Sequence, residues 1–150
     1  MSVAPQALDK SAIEALIPHS GAMSLLERVV ASDEQSIRCE AVSHADPANP
    51  LRHNGVLPAS AGVEYAAQAV ALHAAITKTR AGGAPQRGYL AVLSNAAWSA
   101  PRLDDAGLVL TVEAAQITVL ASGSQYSFRL SAAGRELLTG EFILALEAAR

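Results

Sequence analysis

Apolar and polar positions divide this chain into one long, uniformly apolar block at residues 59–76 and several shorter stretches in which the two kinds alternate. Within the block nearly every side chain is apolar or small, and no face of an ideal helix drawn there is charged. Such a helix has no side suited to water and is expected to be buried all round. At 1.5 Å rise per residue it spans about 27 Å, the width of a small domain. Pro58 suits its first position, where the missing N–H costs nothing.

The flanking stretches read differently. Asp9 or Ser11 is placed to cap a short helix running to Leu16, which Pro18 and Gly21 end. Residues 23–31, with the run SLLERVV, predict a strand. Ile37, Cys39 and Ala41 alternate with Ser36, Arg38 and Glu40, the period of a half-buried strand. Pro47 and Pro50 mark a loop. After a Gly- and Pro-rich break at 81–85 come four strand candidates: 88–100, 107–120, 125–131 and 136–146. Ser122-Gly123 and Ala133-Gly134 supply tight hairpins between the last three. Short connections imply one antiparallel sheet with the long helix inserted between its second and third strands. The fold class is therefore α+β: a single domain over 1–150, a hotdog fold with its sheet wrapped round the helix.

Composition narrows the function. With 150 residues, 51% of them hydrophobic, the chain can bury one core. A net charge of −3, with scattered Lys and Arg, argues against a nucleic-acid partner. The only cysteine, Cys39, cannot form an intrachain disulfide and reads as a small buried hydrophobe, which suits a reducing cytoplasm. The opening MSVAPQALDK lacks the pattern of a signal peptide. Glu64, Gln68 and His73 would each be costly in lipid, so no membrane span is expected.

The polar exceptions in the apolar block carry the candidate chemistry. Ser60, Glu64 and Gln68 recur every four residues and form one stripe. A carboxyl group among apolar neighbours needs a partner or a purpose. His53 lies just ahead of the helix, in a loop bounded by Gly55 and Pro58. A His/Glu pair at the mouth of an apolar tunnel is the arrangement that proton transfer requires. The alternative for Glu64 is a structural pairing with Arg52 or Arg87. His19 is read as a brace for the first helix or tunnel mouth, and His44 and His73 as structural. Trp98 and Tyr89 are expected in the core or tunnel wall.

Two blocks resemble the 3-hydroxyacyl-(acyl carrier protein) dehydratases of the hotdog superfamily. One is IPHSGAMSLLERV, residues 17–29; the other runs from His53 to Gln68, with HNG, LPASAGVE and AAQ in order. The nearest likeness is to the small bacterial dehydratases of aryl-polyene-type lipid pathways. Two features depart from the housekeeping enzymes: the loop from His53 to Pro58 is shorter, and Ala59 stands where glycine usually follows the proline.

The resemblance implies a lyase that removes water from a 3-hydroxyacyl thioester to give the trans-2-enoyl thioester, in fatty-acid or polyene-type lipid synthesis. His53 would take the Cα proton, and Glu64, its pKa raised by burial, would protonate the departing hydroxyl. Free N–H groups at Ala59, Ser60 and Ala61 would hold the thioester oxygen, and Gln68 would hydrogen-bond Glu64. No metal or organic cofactor is required. The His and Glu of one site would come from different protomers, so a homodimer or higher homo-oligomer is implied. The acyl chain would arrive on an acyl carrier protein or on CoA. Two other readings stay open: an acyl-thioesterase of the same fold, and a catalytically weak acyl-binding subunit that completes a heterodimer.

Overall fold

The chain was described from a computed structural model, which covers residues 7–17, 21–80, 82 and 88–146. Asp9 caps the first helix, α1 (Lys10–Leu16), by accepting the Ala12 N–H at 2.9 Å. Two short strands follow, β1 (Arg28–Ser32) and β2 (Ser36–Ala41). The long helix α2 (Gly62–Arg80) separates them from β3 (Gly88–Trp98), β4 (Leu110–Leu120), β5 (Gly123–Ala132) and β6 (Arg135–Leu146).

All six strands form one antiparallel sheet in the order β1-β2-β4-β5-β6-β3. The second hairpin turns at Ala133-Gly134 as expected, whereas the first turns at Ala121-Ser122, one residue ahead of the expected Ser122-Gly123, and Gly123 already opens β5. Leu120 pairs with Gly123 and Ala132 with Arg135. Ala133 and Gly134 both take positive φ, 51° and 76°, as the right-handed twist of a two-residue hairpin demands.

Strand alternation puts Ile37, Cys39, Val112, Ala114, Phe128, Leu130 and Phe142 on the face that meets α2. The opposite face carries a ladder in which Glu113 accepts from Arg38 at 3.3 Å and from Arg129 at 2.9 Å. Pairs this exposed add little stability and serve mainly to keep that face wet. The helix lies across β2, β4, β5 and β6. Its close approach depends on Gly62, where a Cβ would stand 2.6 Å from Leu138 and 2.9 Å from Leu130.

Burial of α2 is one-sided within a single chain. Tyr65, Ala66, Ala69, Val70, Leu72, His73 and Ile76 are buried, whereas Val63, Glu64, Ala67, Ala71 and Ala74 are only half covered. The half-covered set recurs at three- and four-residue intervals, so it forms a continuous stripe of mostly small side chains.

The strand expected over 23–31 begins only at Arg28. Glu27 N–H already donates to Glu40 O of β2 at 2.8 Å, but before it the backbone is held largely by side chains. Lys10 Nζ donates to Ser24 O at 2.8 Å, and Gln68 takes the Met23 carbonyl and the Leu25 N–H. Among the described residues, no helix is long and apolar enough to cross a membrane.

Candidate active site

The helix begins in two steps. Pro58 is extended (φ −69°, ψ 157°) instead of helical, and Ala59–Ala61 makes one 3-10 turn before α2 starts at Gly62. Each four-residue step along a helix rotates by about 40°, so the polar stripe winds from open to closed. Ser60 is exposed, Glu64 half-buried, and Gln68 only 1% exposed. Glu64 borders a cleft of about 330 Å³ with Leu51, Pro58, Ser60, Ala61 and Val63. A larger hollow of about 720 Å³ lies across the sheet, bordered by Arg38, Glu113, Arg129 and Glu141, and touches none of the residues predicted for the site.

His53 opens a tight turn. Its N–H donates to Val56 O at 2.7 Å, and Val56 N–H returns to His53 O at 3.1 Å. Asn54 and Gly55 between them have φ of 52° and 78°, the backbone for which an Asn-Gly pair is suited. The imidazole stands on the exposed crest and does not border the Glu64 cleft. One chain therefore gathers Glu64, Ser60 and Ala61 around the cleft and leaves His53 outside it.

The expected oxyanion donors need correction. Ala59 N–H donates to Pro101 O and Ala61 N–H to Pro58 O, both at 3.0 Å, so neither is free. The loop after β3 comes back alongside residues 57–59 and takes the first of them. Among the described residues, only the Ser60 N–H of the three has no backbone partner.

Gln68 is also committed elsewhere. Its Oε1 accepts from Leu25 N–H at 3.0 Å and its Nε2 donates to Met23 O at 2.8 Å, so the amide mimics a strand pairing instead of reaching for Glu64. Three residues earlier on the helix, Tyr65 reaches the Leu25 carbonyl through Ser43. Ser43 gives its single hydroxyl proton to Leu25 O at 2.7 Å, so the Tyr65 hydroxyl must donate to Ser43 at 2.7 Å. Asn49 donates to Tyr65 at 3.0 Å and completes the chain. Burial pushes the Tyr65 hydroxyl above its ordinary pKa, which keeps it a donor.

Two residues beside the site brace its loop: Asp104, which the sequence did not point to, and Arg52, expected only as an alternative, structural partner of Glu64. Arg52 Nε donates to Asp46 O at 2.9 Å, its Nη1 to Gly55 O at 2.7 Å, and its Nη2 to His44 O at 3.4 Å. It also faces Asp104 at 3.7 Å. Asp104 accepts the Leu57 N–H at 3.0 Å and is held by Arg102, whose guanidinium keeps its carboxyl well below the usual carboxylate range. The doublet Asp104-Asp105 two residues after Arg102 was the available signal, but sequence alone reads it as a turn.

The remaining histidines have structural partners. His73 sits in the core with Nε2 at 2.8 Å from Asp33 O, which can only accept, so Nε2 carries the proton. Nδ1 then accepts from the Tyr126 hydroxyl at 2.6 Å. Desolvation lowers the His73 pKa and favours this neutral form. His44 is buried and meets Gly107 O at 2.7 Å through Nε2. Cys39 is fully buried, and burial pushes its thiol up to about 12. Trp98 corrects the expectation of a core residue: it lies at the end of edge strand β3, 63% exposed. His19, Arg87 and the Tyr89 side chain lie outside the described residues.

Solved structures share this fold. The dehydratase heterocomplex ApeI:P from Xenorhabdus doucetiae superposes with a TM-score of 0.81 at 21% identity, over 91% of each chain. A mutant of thioesterase PA1618 from Pseudomonas aeruginosa superposes with a TM-score of 0.67 at 18% identity, over 94% of this chain and 95% of the other. These are hotdog-fold proteins, and their likeness identifies the architecture. No curated protein matches the chain in sequence. The ApeP-like family, described as ApeP dehydratase, matches residues 11–145. Because that match spans nearly the whole chain, the chain belongs to the ApeP-like dehydratases.

Proposed function

We propose that this chain is a 3-hydroxyacyl-thioester dehydratase whose site is completed by a second subunit. The observation that carries the reading is the placement of Glu64: a carboxyl group on the incompletely covered stripe of an otherwise apolar helix, bordering a cleft that Ser60 also borders. In this reading His53 Nε2 or Nδ1 removes the Cα proton of the acyl thioester. The electrons form the Cα–Cβ double bond, and the Cβ–O bond breaks as Glu64 passes its proton to the leaving hydroxyl. Water and the trans-2-enoyl thioester result, with the proton taken by His53 available to restore Glu64. The Ser60 N–H, at the positive end of α2, is the donor for the developing thioester oxyanion. Gln68 acts on the substrate pocket indirectly, by fixing the Met23–Leu25 backbone.

The placement of His53 supports a dimer in this reading. Its ring is exposed in one chain, and a base has to lie within hydrogen-bond reach of the proton it abstracts. Strand β3 offers the means. It is an edge strand on which Ala91–Ser99 are all exposed, with Val92 and Leu93 among them. A long apolar edge left open invites pairing, and antiparallel pairing of two such edges is self-complementary under two-fold symmetry. The half-covered Ala67, Ala71 and Ala74 stripe is narrow enough to receive a partner's helix. The substrate is an acyl chain carried on an acyl carrier protein or on CoA, and the setting is cytoplasmic lipid or polyene synthesis.

The test is turnover of a panel of 3-hydroxyacyl-CoA and carrier-protein thioesters, followed by absorbance of the conjugated enoyl product. His53→Ala and Glu64→Gln are expected to lose the reaction. Turnover near that of the unaltered protein in both variants overturns the proposal. Steady release of free thiol without enoyl product selects the thioesterase reading instead, which the likeness to PA1618 keeps in view. Activity only after addition of a second hotdog subunit selects the heterodimer.

A further inference from the structure

The turn that carries His53 is held by very little of its own. Between its two closing backbone bonds lie only Asn54 and Gly55, and no apolar side chain of the turn is buried. What holds it is the loop after β3. Pro58 bridges to Arg102, Ala59 N–H reaches Pro101 O, and Leu103 N–H reaches Leu57 O at 2.8 Å. These bonds fix the strand leading out of the turn. They do nothing for the strand leading in.

A single side chain reaches both. The Asp104 carboxylate accepts the Leu57 N–H just after the turn and faces the Arg52 guanidinium just before it. Arg52 in turn donates to Gly55 O inside the turn and to the His44 and Asp46 carbonyls beneath it. The Asp104 side chain is 7% exposed and that of Arg52 15%, so both charged groups are largely withdrawn from water. Arg102 closes the open side of the carboxylate. A planar, five-donor guanidinium is the group able to serve three carbonyls and a carboxylate at once.

We infer that Asp104, acting through Arg52 and the Leu57 amide, is the positioning residue that sets the height and angle of the His53 turn for catalysis. The inference rests on His53 being the base, and it adds a dependence of that base on a loop more than forty residues away in sequence. Asp104 touches no substrate. Its loss lets the turn rock about the Leu57 side, and small misplacements of a reacting group are costly: about 1 Å can cost a hundredfold in rate.

The test compares Asp104→Ala, Asp104→Asn and His53→Ala in the full-length chain, with 3-hydroxybutyryl-CoA and longer homologues as substrates. Asp104→Ala is expected to lower kcat by about ten- to a hundredfold with KM nearly unchanged. Asp104→Asn, which keeps an oxygen for Leu57 N–H and loses the charge facing Arg52, should fall between. Amide hydrogen exchange supplies a readout independent of turnover. Val56 and Leu57 should exchange at least about tenfold faster in Asp104→Ala while Val112 and Leu130 in the sheet are unaltered. The inference is overturned if kcat of Asp104→Ala matches the unaltered protein while His53→Ala is inactive, or if exchange rises equally in sheet and turn. If His53→Ala keeps full turnover, the assignment of the base fails instead, and the exchange data alone judge whether Asp104 holds the turn.

Discussion

Replacing Gln68 with leucine separates the two roles that this residue could play. Leucine nearly matches the volume of glutamine and suits a helix interior, so packing and propensity change little. What is lost is the pair of bonds to Leu25 N–H and Met23 O. The Leu25 amide is buried and would be left without a partner at a cost of about 1–3 kcal/mol. The Met23 carbonyl is partly reachable by water, so its loss is nearer the net worth of an ordinary hydrogen bond, about 0.5–1.5 kcal/mol. Together they predict a destabilisation of about 1.5–4.5 kcal/mol. For a chain of this size each kcal/mol moves the midpoint by about 2–4 °C, so Tm should drop by about 3–18 °C. A urea titration should show the same loss in the midpoint without a change in slope. Had Gln68 merely touched a half-exposed Glu64, the loss would stay within about 0.5 kcal/mol. A Tm shift of less than about 2 °C refutes the two-point clamp.

Two further outcomes follow from the described geometry. His73 is buried neutral, with its pKa below 6.5 because of desolvation, so the unfolded chain binds a proton before the folded one does. Stability should therefore fall as pH drops below about 6.5, by up to about 1.4 kcal/mol per pH unit until the folded pKa is reached, and be flat above it. His73→Gln should remove that component of a Tm profile taken between neutral and mildly acid pH; an unchanged slope contradicts the assignment. Trp98 is the sole tryptophan and lies exposed on the β3 edge. If β3 pairs with a second subunit, its emission should shift to the blue as protein concentration rises through the dimerisation range. Val92→Lys, which puts a charge on that edge, should hold the emission red and the protein monomeric in light scattering. Emission independent of concentration, with a monomer throughout, speaks against the β3 interface.

Sequence determined the elements whose causes are local. The 59–76 block had one narrow polar stripe on an otherwise apolar run, and a helix covers most of it; the alternation at Ile37, Cys39 and Ala41 specified a strand, and Ala133-Gly134 specified a hairpin, because periodicity and left-handed turns depend on adjacent residues. The stripe Ser60, Glu64, Gln68 was equally legible, since helical spacing fixes who shares a face. Tertiary structure decided which of those groups were already spoken for. Residues 23–26 look like strand, yet Lys10 and Gln68 captured backbone groups there; Ala59 N–H looked free, yet the chain returned at Pro101 to claim it; Trp98 looked like core, yet β3 fell at an edge. Each of these turns on a contact between segments far apart in the chain. A backbone donor or acceptor takes whatever partner the fold delivers, and no local pattern records which one arrives.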